Sequence, residues 1–321
     1  MLTFEFEKPI EELEKRIEEL RRYSAEVKID ASAELAALEA QRKALIEKVF
    51  SELKPYDQVL LARHPQRPYP LDYIANFCDD FVELHGDRRF SDDNAMVGGF
   101  ATIKGHRLML LGNQKGRGTK GNIERNFGMS HPEGYRKALR LMQLADRFGL
   151  PIVTLVDTAG AYPGIGAEER GQANAIAENL RDIMALKVPI ISVIIGEGGS
   201  GGALAICICN KLLALSNSYY TVISPEGCAS ILFRDAKRAR EAAEQLRLTA
   251  RDLLELGVAD EIVEEPLGGA HRDYKAAAEN LSAAIVRNLD ELSKFSPDEL
   301  KDARYKKFRE IGAITTLEIK E

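Results

Sequence analysis

The chain predicts an α/β fold, on three observations. Strand-length apolar runs alternate with helix-period segments through its middle, and two glycine-bearing turns each stand between such a run and a helix. Prolines set an amphipathic helical region apart at the N-terminus. At 321 residues, 45% of them hydrophobic, there is material for one large α/β domain with an appendage, or for two domains.

Residues 1–55 read as amphipathic helix. Ile10, Leu13, Ile17 and Leu20 recur at spacings of three and four, and Leu38, Leu45, Val49 and Leu53 resume a compatible pattern. This suits a helical hairpin bending between Tyr23 and Ser32, either pairing with another subunit or packed on its own domain. Pro55, Pro65, Pro68 and Pro70 end the helix and predict an irregular connector, after which Tyr73, Ile74, Phe77 and Phe81 begin a new helical pattern.

Beyond that boundary, residues 56–295 form the expected main domain. Strands are predicted over 95–103, 107–112, 151–157, 189–196, 220–223 and 260–263, with helices over 132–148, 166–186 and 201–213. Ser130 before Pro132 and Ser224 before Pro225 mark two helix starts, Gly149 a stop, and Thr249 and Gly257 bracket a short helix. Ser296-Pro297 opens a charged C-terminal segment, 296–321.

Composition limits the function. A net charge of −6 gives no global basic field, so nucleic acid is not expected as a partner. Cys78, Cys207, Cys209 and Cys228 form no C-x-x-C pair, arguing against a disulfide framework or a zinc module, and no metal site is expected. Cys207 and Cys209 fall in the predicted 201–213 helix as packing. No run approaches a membrane span and residues 1–8 lack an uncharged apolar core, so a soluble cytoplasmic protein is the expectation.

The chemistry concentrates in residues 195–204, where Gly196, Gly198, Gly199, Gly201 and Gly202 fall within seven positions. Without a Cβ the chain can bring backbone amides against a substrate oxygen, which is how an oxyanion hole forms without catalytic side chains. A second turn, residues 156–164 with Gly160 and Gly164, stands in the corresponding place after another buried strand. Two such turns at neighbouring strand ends can aim their amides at one ligand. Asp157 either caps its turn or binds a ligand, and Tyr162 lines a pocket or lies at the surface.

Rival readings fit less well. Gly196, Gly198 and Gly201 satisfy G-x-G-x-x-G, but no acidic residue ends the next strand as a dinucleotide site needs. Residues 112–120 fail the phosphate-loop spacing and read as a mobile basic loop, with Lys115, Arg117 and Lys120 facing CoA phosphates, an acidic partner or solvent. The five histidines are scattered and no G-x-S-x-G or H-E-x-x-H occurs. Ser200 has no identifiable base beside it.

Several long blocks share one further property. Gly112-Asn113-Gln114-Lys115-Gly116-Arg117, Arg125-Asn126-Phe127-Gly128-Met129, the stretches 132–140 and 164–172, the glycine run, Ser224-Pro225-Glu226-Gly227-Cys228 and Pro266-Leu267-Gly268-Gly269-Ala270-His271-Arg272 occur in one order. Together they closely resemble the alpha-subunit family of bacterial acetyl-CoA carboxylase carboxyltransferases, from the N-terminal helices to about residue 310.

The resemblance implies a crotonase-like fold, a superhelix of ββα units with an N-terminal helical extension, working in an α₂β₂ assembly with a beta subunit. It implies transfer of a carboxyl group from carboxybiotin, delivered on the biotin carboxyl carrier protein after biotin carboxylase has loaded it, to acetyl-CoA, giving malonyl-CoA for fatty-acid synthesis. No cofactor is implied to be covalently bound here, and zinc is implied on the beta subunit only. Both reacting groups develop negative charge on a carbonyl oxygen, which preorganised amides stabilise. By this likeness the amides of Gly201 and Gly202, with Gly160 and Ala161 adjoining, form the hole, while Gly198, Gly199, Tyr162 and Gly164 line the biotin pocket. Two positions depart from the family pattern: Ala159 stands where proline is usual and Gly118 where glutamate is common. The alternatives are a crotonase-type acyl-CoA hydratase or thioesterase acting alone, and a non-catalytic scaffold.

Overall fold

The computed structural model describes residues 4–312, so residues 1–3 of the N-terminal region and 313–321 of the charged C-terminal segment lie outside the described residues. A hairpin of α1 (Lys8–Val27) and α2 (Ser32–Ser51) comes first, turning through Lys28 in the left-handed region. It buries Ile10, Leu13, Ile17 and Ile46 and leaves Tyr23, Val27 and Ile29 exposed at its tip. Its base is tied to the body: Glu7 lies 3.4 Å from His271 and 3.6 Å from Arg272, and Arg272 pairs with Glu14 at 2.8 Å. The expected irregular connector is partly helical. α3 (Pro55–Ala62) and α4 (Pro70–Phe77) each start on a proline, which a first turn tolerates.

The body is one mixed sheet between helical layers. Its strands are β1 (Asp80–Glu83), β2 (Met96–Ile103), β3 (His106–Asn113), β4 (Ile152–Thr158), β5 (Ile190–Gly199), β6 (Lys211–Leu215), β7 (Tyr219–Thr221) and β8 (Glu261–Val263). They lie in the order β1–β2–β3–β4–β5–β6–β8, with β7 beside the end of β5; the first two pairings are antiparallel and the rest parallel. The helices between and after them are α5 (Gly118–Glu124), α6 (Pro132–Arg147), α7 (Ile165–Glu169), α8 (Gln172–Met184), α9 (Ser200–Leu204), α10 (Pro225–Phe233), α11 (Ala239–Leu246), α12 (Ala250–Glu255), α13 (Tyr274–Leu292) and α14 (Pro297–Glu310).

Strand side chains alternate between two cores, as the two-residue pleat requires. Met109, Leu111, Ile152, Val156, Ile190 and Ile194 join α6, α8 and α12 on one side. Leu108, Leu110, Val153, Leu155, Ile191 and Val193 join α4 and α13 on the other. Burial on both faces explains why these strands read as unbroken apolar runs. No helix among the described residues is long and apolar enough to cross a membrane.

Several local expectations are corrected. The helix expected over 201–213 stops at Leu204, and Cys207 and Cys209 are buried in the connection to β6. The helix expected over 166–186 breaks at Gly171, whose φ of +80° lies in the left-handed region. The expected basic loop, 112–120, instead ends β3 at Asn113 and enters the short helix α5 at Gly118, with Gly116 packed on the backbone of Gly121. Ser130 is not the cap of α6; Asp93 Oδ2 accepts from the His131 amide at 2.8 Å instead. Ser224 and Thr249 do cap, accepting from Gly227 at 3.1 Å and Asp252 at 3.3 Å. The segment after Ser296 folds back as α14, where buried Arg304 donates to the carbonyls of Ile183 (3.0 Å), Leu186 (2.7 Å) and Val188 (2.9 Å).

Candidate active site

The ends of β4 and β5 lie side by side, with Thr158 paired to Gly198, so the two glycine-bearing turns meet. Their contact is main chain against main chain. A Cβ on Gly199 would fall 2.1 Å from the Ala159 carbonyl oxygen, and one on Gly202 would fall 2.4 Å from Ala161 N and from Gly160 C. Only glycine allows that approach. Gly201 differs, since the nearest atom to its added Cβ is a methyl of Ile176 at 3.9 Å. Ser200, exposed at the start of α9, has a φ of +53° that non-glycine residues rarely adopt. The amides of Gly201 and Gly202 fall in the first turn of α9 and have no intrahelical acceptor.

One proposed donor is removed. The Gly160 amide donates to Thr158 Oγ1 at 3.1 Å, and that hydroxyl donates back to the Gly160 carbonyl at 2.7 Å, so the amide is used inside its own turn. Gly198 and Gly199, expected to line a pocket, are buried spacers, Gly198 against Tyr220 and Gly199 against Ala159. Tyr162 is half-buried with its ring over Gly164 and 4.2 Å from the His131 ring. Its turn is pinned by Tyr162 N donating to Ser130 O at 3.0 Å and by Gln172 Nε2 donating to the carbonyls of Ser130 and Tyr162, both at 2.9 Å.

Beneath the turns runs a buried charge network that motif reasoning missed. Lys115 Nζ donates to Asp157 Oδ1 at 2.7 Å and to Glu197 Oε1 at 2.6 Å, and Asp157 Oδ1 also accepts from the Glu197 amide at 3.0 Å. Arg63 Nε and Tyr219 OH donate to Glu197 Oε2 at 2.8 and 2.6 Å, and Arg63 Nη1 reaches Glu226 at 2.8 Å. Burial works to raise the Glu197 carboxyl, and the Lys115 and Arg63 charges overcome it, holding it down at about 2. Asp157 lies fully buried beside Glu197, and burial keeps its carboxyl above the usual range despite Lys115. Asp157 therefore joins the two turns and faces no ligand space. A Cβ on Gly196 would strike it at 2.6 Å.

The three basic residues expected to face CoA or a partner divide. Lys115 is buried in this network. Arg117 clamps the connector, donating to the carbonyls of Pro65 and Arg67, pairing with Asp72 at 2.5 Å and stacking 3.9 Å over Tyr69. Lys120 stands exposed on α5, whereas Arg117, though also exposed, is engaged by those contacts. Next to Arg117, buried Arg67 pairs with Glu265 at 2.5 and 3.0 Å and donates to the Ile195 carbonyl at 2.7 Å. Elsewhere, ligand-type atoms of Glu7, His64 and His271 lie within 4.8 Å of one another, but Arg272 already supplies a cation to that carboxylate.

Beside Gly201 opens a cleft of about 360 Å³ with an almost wholly apolar wall, formed by Leu204, Tyr220, Val222, Leu246, Leu256 and Val258. These come from four separate segments with no common spacing, so no sequence signal could have assembled them. Apolar walls with amides at one end suit a compact ring carrying one polar carbonyl. The two carboxylates under the turns, Asp157 and Glu197, are paired with Lys115 and Arg63, while the His131 Nδ1 beside Tyr162 and the Tyr135 hydroxyl beside Gly202 have no hydrogen-bond partner.

Two acetyl-coenzyme A carboxylase carboxyl transferase alpha subunits are close relatives. That of Thermus thermophilus is 54% identical over 313 residues, 98% of this chain and 99% of its own. That of Geobacter metallireducens is 56% identical over 308 residues, 96% of each chain. Among solved structures, transcarboxylase 12S superposes with a TM-score of 0.58 at 21% identity, over 73% of this chain and 44% of its own. A Pseudomonas malonate decarboxylase hetero-tetramer in complex with coenzyme A gives 0.59 at 15% identity, over 73% and 91%. The fold is thus the crotonase-like one of these enzymes. With residues 3–312 also matching the family model for it, the chain belongs to the acetyl co-enzyme A carboxylase carboxyltransferase-like family.

Proposed function

We infer that this chain is the alpha half of a carboxyltransferase that moves a carboxyl group from carboxybiotin to acetyl-CoA, with a beta subunit completing the site in an α₂β₂ assembly. The observation that carries the reading is the main-chain contact of two glycine-bearing turns beside an apolar cleft. Carboxybiotin, arriving on a carrier protein loaded by biotin carboxylase, brings the carboxyl group and its own basic nitrogen. The protein's part is then to hold a carbonyl oxygen against the amides of Gly201 and Gly202, with Ala161 at the adjoining wall, and to exclude water with the cleft. One such donor contributes about 3 kcal/mol to the transition state. Zinc belongs to the beta subunit in this reading, and the assembly works in the cytoplasm.

A lone acyl-CoA hydratase or thioesterase is disfavoured because the carboxylates under the turns are buried and paired with Lys115 and Arg63. Malonyl-CoA decarboxylation in the presence of biotin, measured for each purified subunit alone and for the mixture, tests the assignment. Activity only in the mixture supports it. Turnover by the beta subunit alone would make this chain a scaffold, and turnover of enoyl- or acyl-CoA by this chain alone would make it a hydratase or thioesterase.

A further inference from the structure

A second cleft, of about 300 Å³, lies between α6 and α8 and is closed at one end by residues 87–89. Five arginines line it, Arg88, Arg89, Arg136, Arg140 and Arg181, against three carboxylates, in a chain whose net charge is −6. Two of those carboxylates meet arginines of the cleft, and the third, Asp87, is bound through one oxygen while its Oδ2 is buried without a hydrogen-bond partner. Asp87 Oδ1 accepts from the amides of Arg89 and Phe90, both at 2.8 Å. Asp182 takes Arg181 at 2.6 and 3.1 Å, while Glu178 accepts from Asn174 at 3.0 Å and lies 3.9 Å from Arg89.

Arg88 and Arg140 are left with main-chain carbonyls. Arg88 Nη1 donates to His85 O at 2.8 Å, and Arg140 donates to Gly86 O at 3.0 Å and His85 O at 3.2 Å, so two guanidiniums share one strip of backbone. Burial, and then the Arg88 charge, push the Arg140 pKa down, as like charges crowded together must. Arg136, one helical turn before Arg140, donates to Arg170 O at 2.5 Å; its nearest carboxylate, Glu133 at 3.7 Å, is held by Arg170. The frame is rigid. Buried Lys137 donates to Asp92 at 2.7 Å and Met96 O at 2.8 Å, and Asp92 in turn accepts from the Gly86 amide at 2.8 Å. Within that frame Arg88 is held at a φ of +65°, which side chains other than glycine rarely adopt.

We propose that this cleft binds a phosphate-bearing anion through Arg88 and Arg140, with Arg136 at its edge. Each guanidinium keeps N–H donors beyond those given to carbonyls, in a planar fork that matches phosphate. A phosphate monoester carries a charge of roughly −1.5 to −2, enough to offset the pair. The phosphate can come from a free polyphosphate or from coenzyme A, and the proposal stands whichever reaction the glycine turns catalyse.

Titration calorimetry on the full chain with inorganic pyrophosphate, coenzyme A and dephospho-coenzyme A tests it. Sub-millimolar binding of pyrophosphate or coenzyme A is expected, weakened at least about tenfold by Arg88→Ala and by Arg140→Ala, and weakening further as salt rises. Coenzyme A bound in preference to its dephospho form points to the coenzyme as source, whereas pyrophosphate bound as well as coenzyme A points to a free anion. Absence of binding by all three, or binding unchanged in Arg88→Ala, overturns the proposal. Because Arg88 is exposed, that variant folds and decides the matter even where Arg140→Ala does not.

Discussion

Replacing Gly202 by alanine adds one methyl group where two backbones touch. The added Cβ would stand 2.4 Å from Ala161 N and from Gly160 C, against the 3.4 Å of ordinary contact, so a peptide must move by about 1 Å. Neither atom is the end of a flexible side chain, and the displacement falls on the amides proposed to hold the reacting oxygen. A misplacement of that size costs about a hundredfold in rate, or about 2.7 kcal/mol. Gly201→Ala is the matched control, because its Cβ finds nothing nearer than 3.9 Å. The assay is malonyl-CoA decarboxylation by the complex with saturating biotin, alongside thermal melting and gel filtration to confirm assembly. Gly202→Ala should lose about a hundredfold in kcat while Gly201→Ala stays within about threefold. Equal activities in two well-folded variants would refute the reasoning, since the contact would then bear no relation to the chemistry.

Gly201→Val, at a residue that lines the apolar cleft, should raise the KM for free biotin about tenfold and leave kcat within about threefold; a normal KM would place biotin elsewhere. Glu197, held at about 2 against an ordinary 4.5, stabilises the fold by roughly 3 kcal/mol. That contribution is complete above pH 4.5 and is lost as pH falls toward 2, so urea midpoints of the wild type should drop across this window. Lys115→Met leaves Asp157 and Glu197 facing each other without their shared cation and should destabilise by about 3–5 kcal/mol. The Asp157 carboxyl, already raised by burial, then loses the cation that opposed the rise, so this variant should lose stability relative to wild type as pH climbs above the ordinary carboxylate range; a pH profile parallel to wild type would contradict it. Arg304→Leu strips donors from three buried carbonyls, at a cost of roughly 3 kcal/mol read by thermal melting.

The parts of the fold legible in the sequence were those with local signals. The caps at Ser224 and Thr249 and the stops at Gly149 and Gly257 follow from local hydrogen bonding and φ. What failed was the apolar stretch after Leu204. It is buried on every side, and an unbroken apolar run carries no period to tell helix from strand. The glycine turns announced themselves as a pair, yet their contact rests on Ala159 and Ala161, two residues with no signal of their own. Lys115 misled because a lysine in a glycine-bearing basic segment suggests exposure, whereas its two carboxylate partners lie 42 and 82 residues away.

The clamp at Arg63 and Arg67 has a consequence for how the molecule assembles. These side chains close on Glu197, Glu226 and Glu265, residues 134 to 198 positions downstream, so their partners are synthesised long after them. Contacts of such separation form late, after the loop entropy between them has been overcome. A nascent chain can complete its hairpin and the β2–β3 pairing early, but the paired turns stay unlocked until Glu265 has emerged. The paired turns are therefore among the later parts of the molecule to lock, and truncation upstream of Glu265 leaves Arg67 without its carboxylate partner.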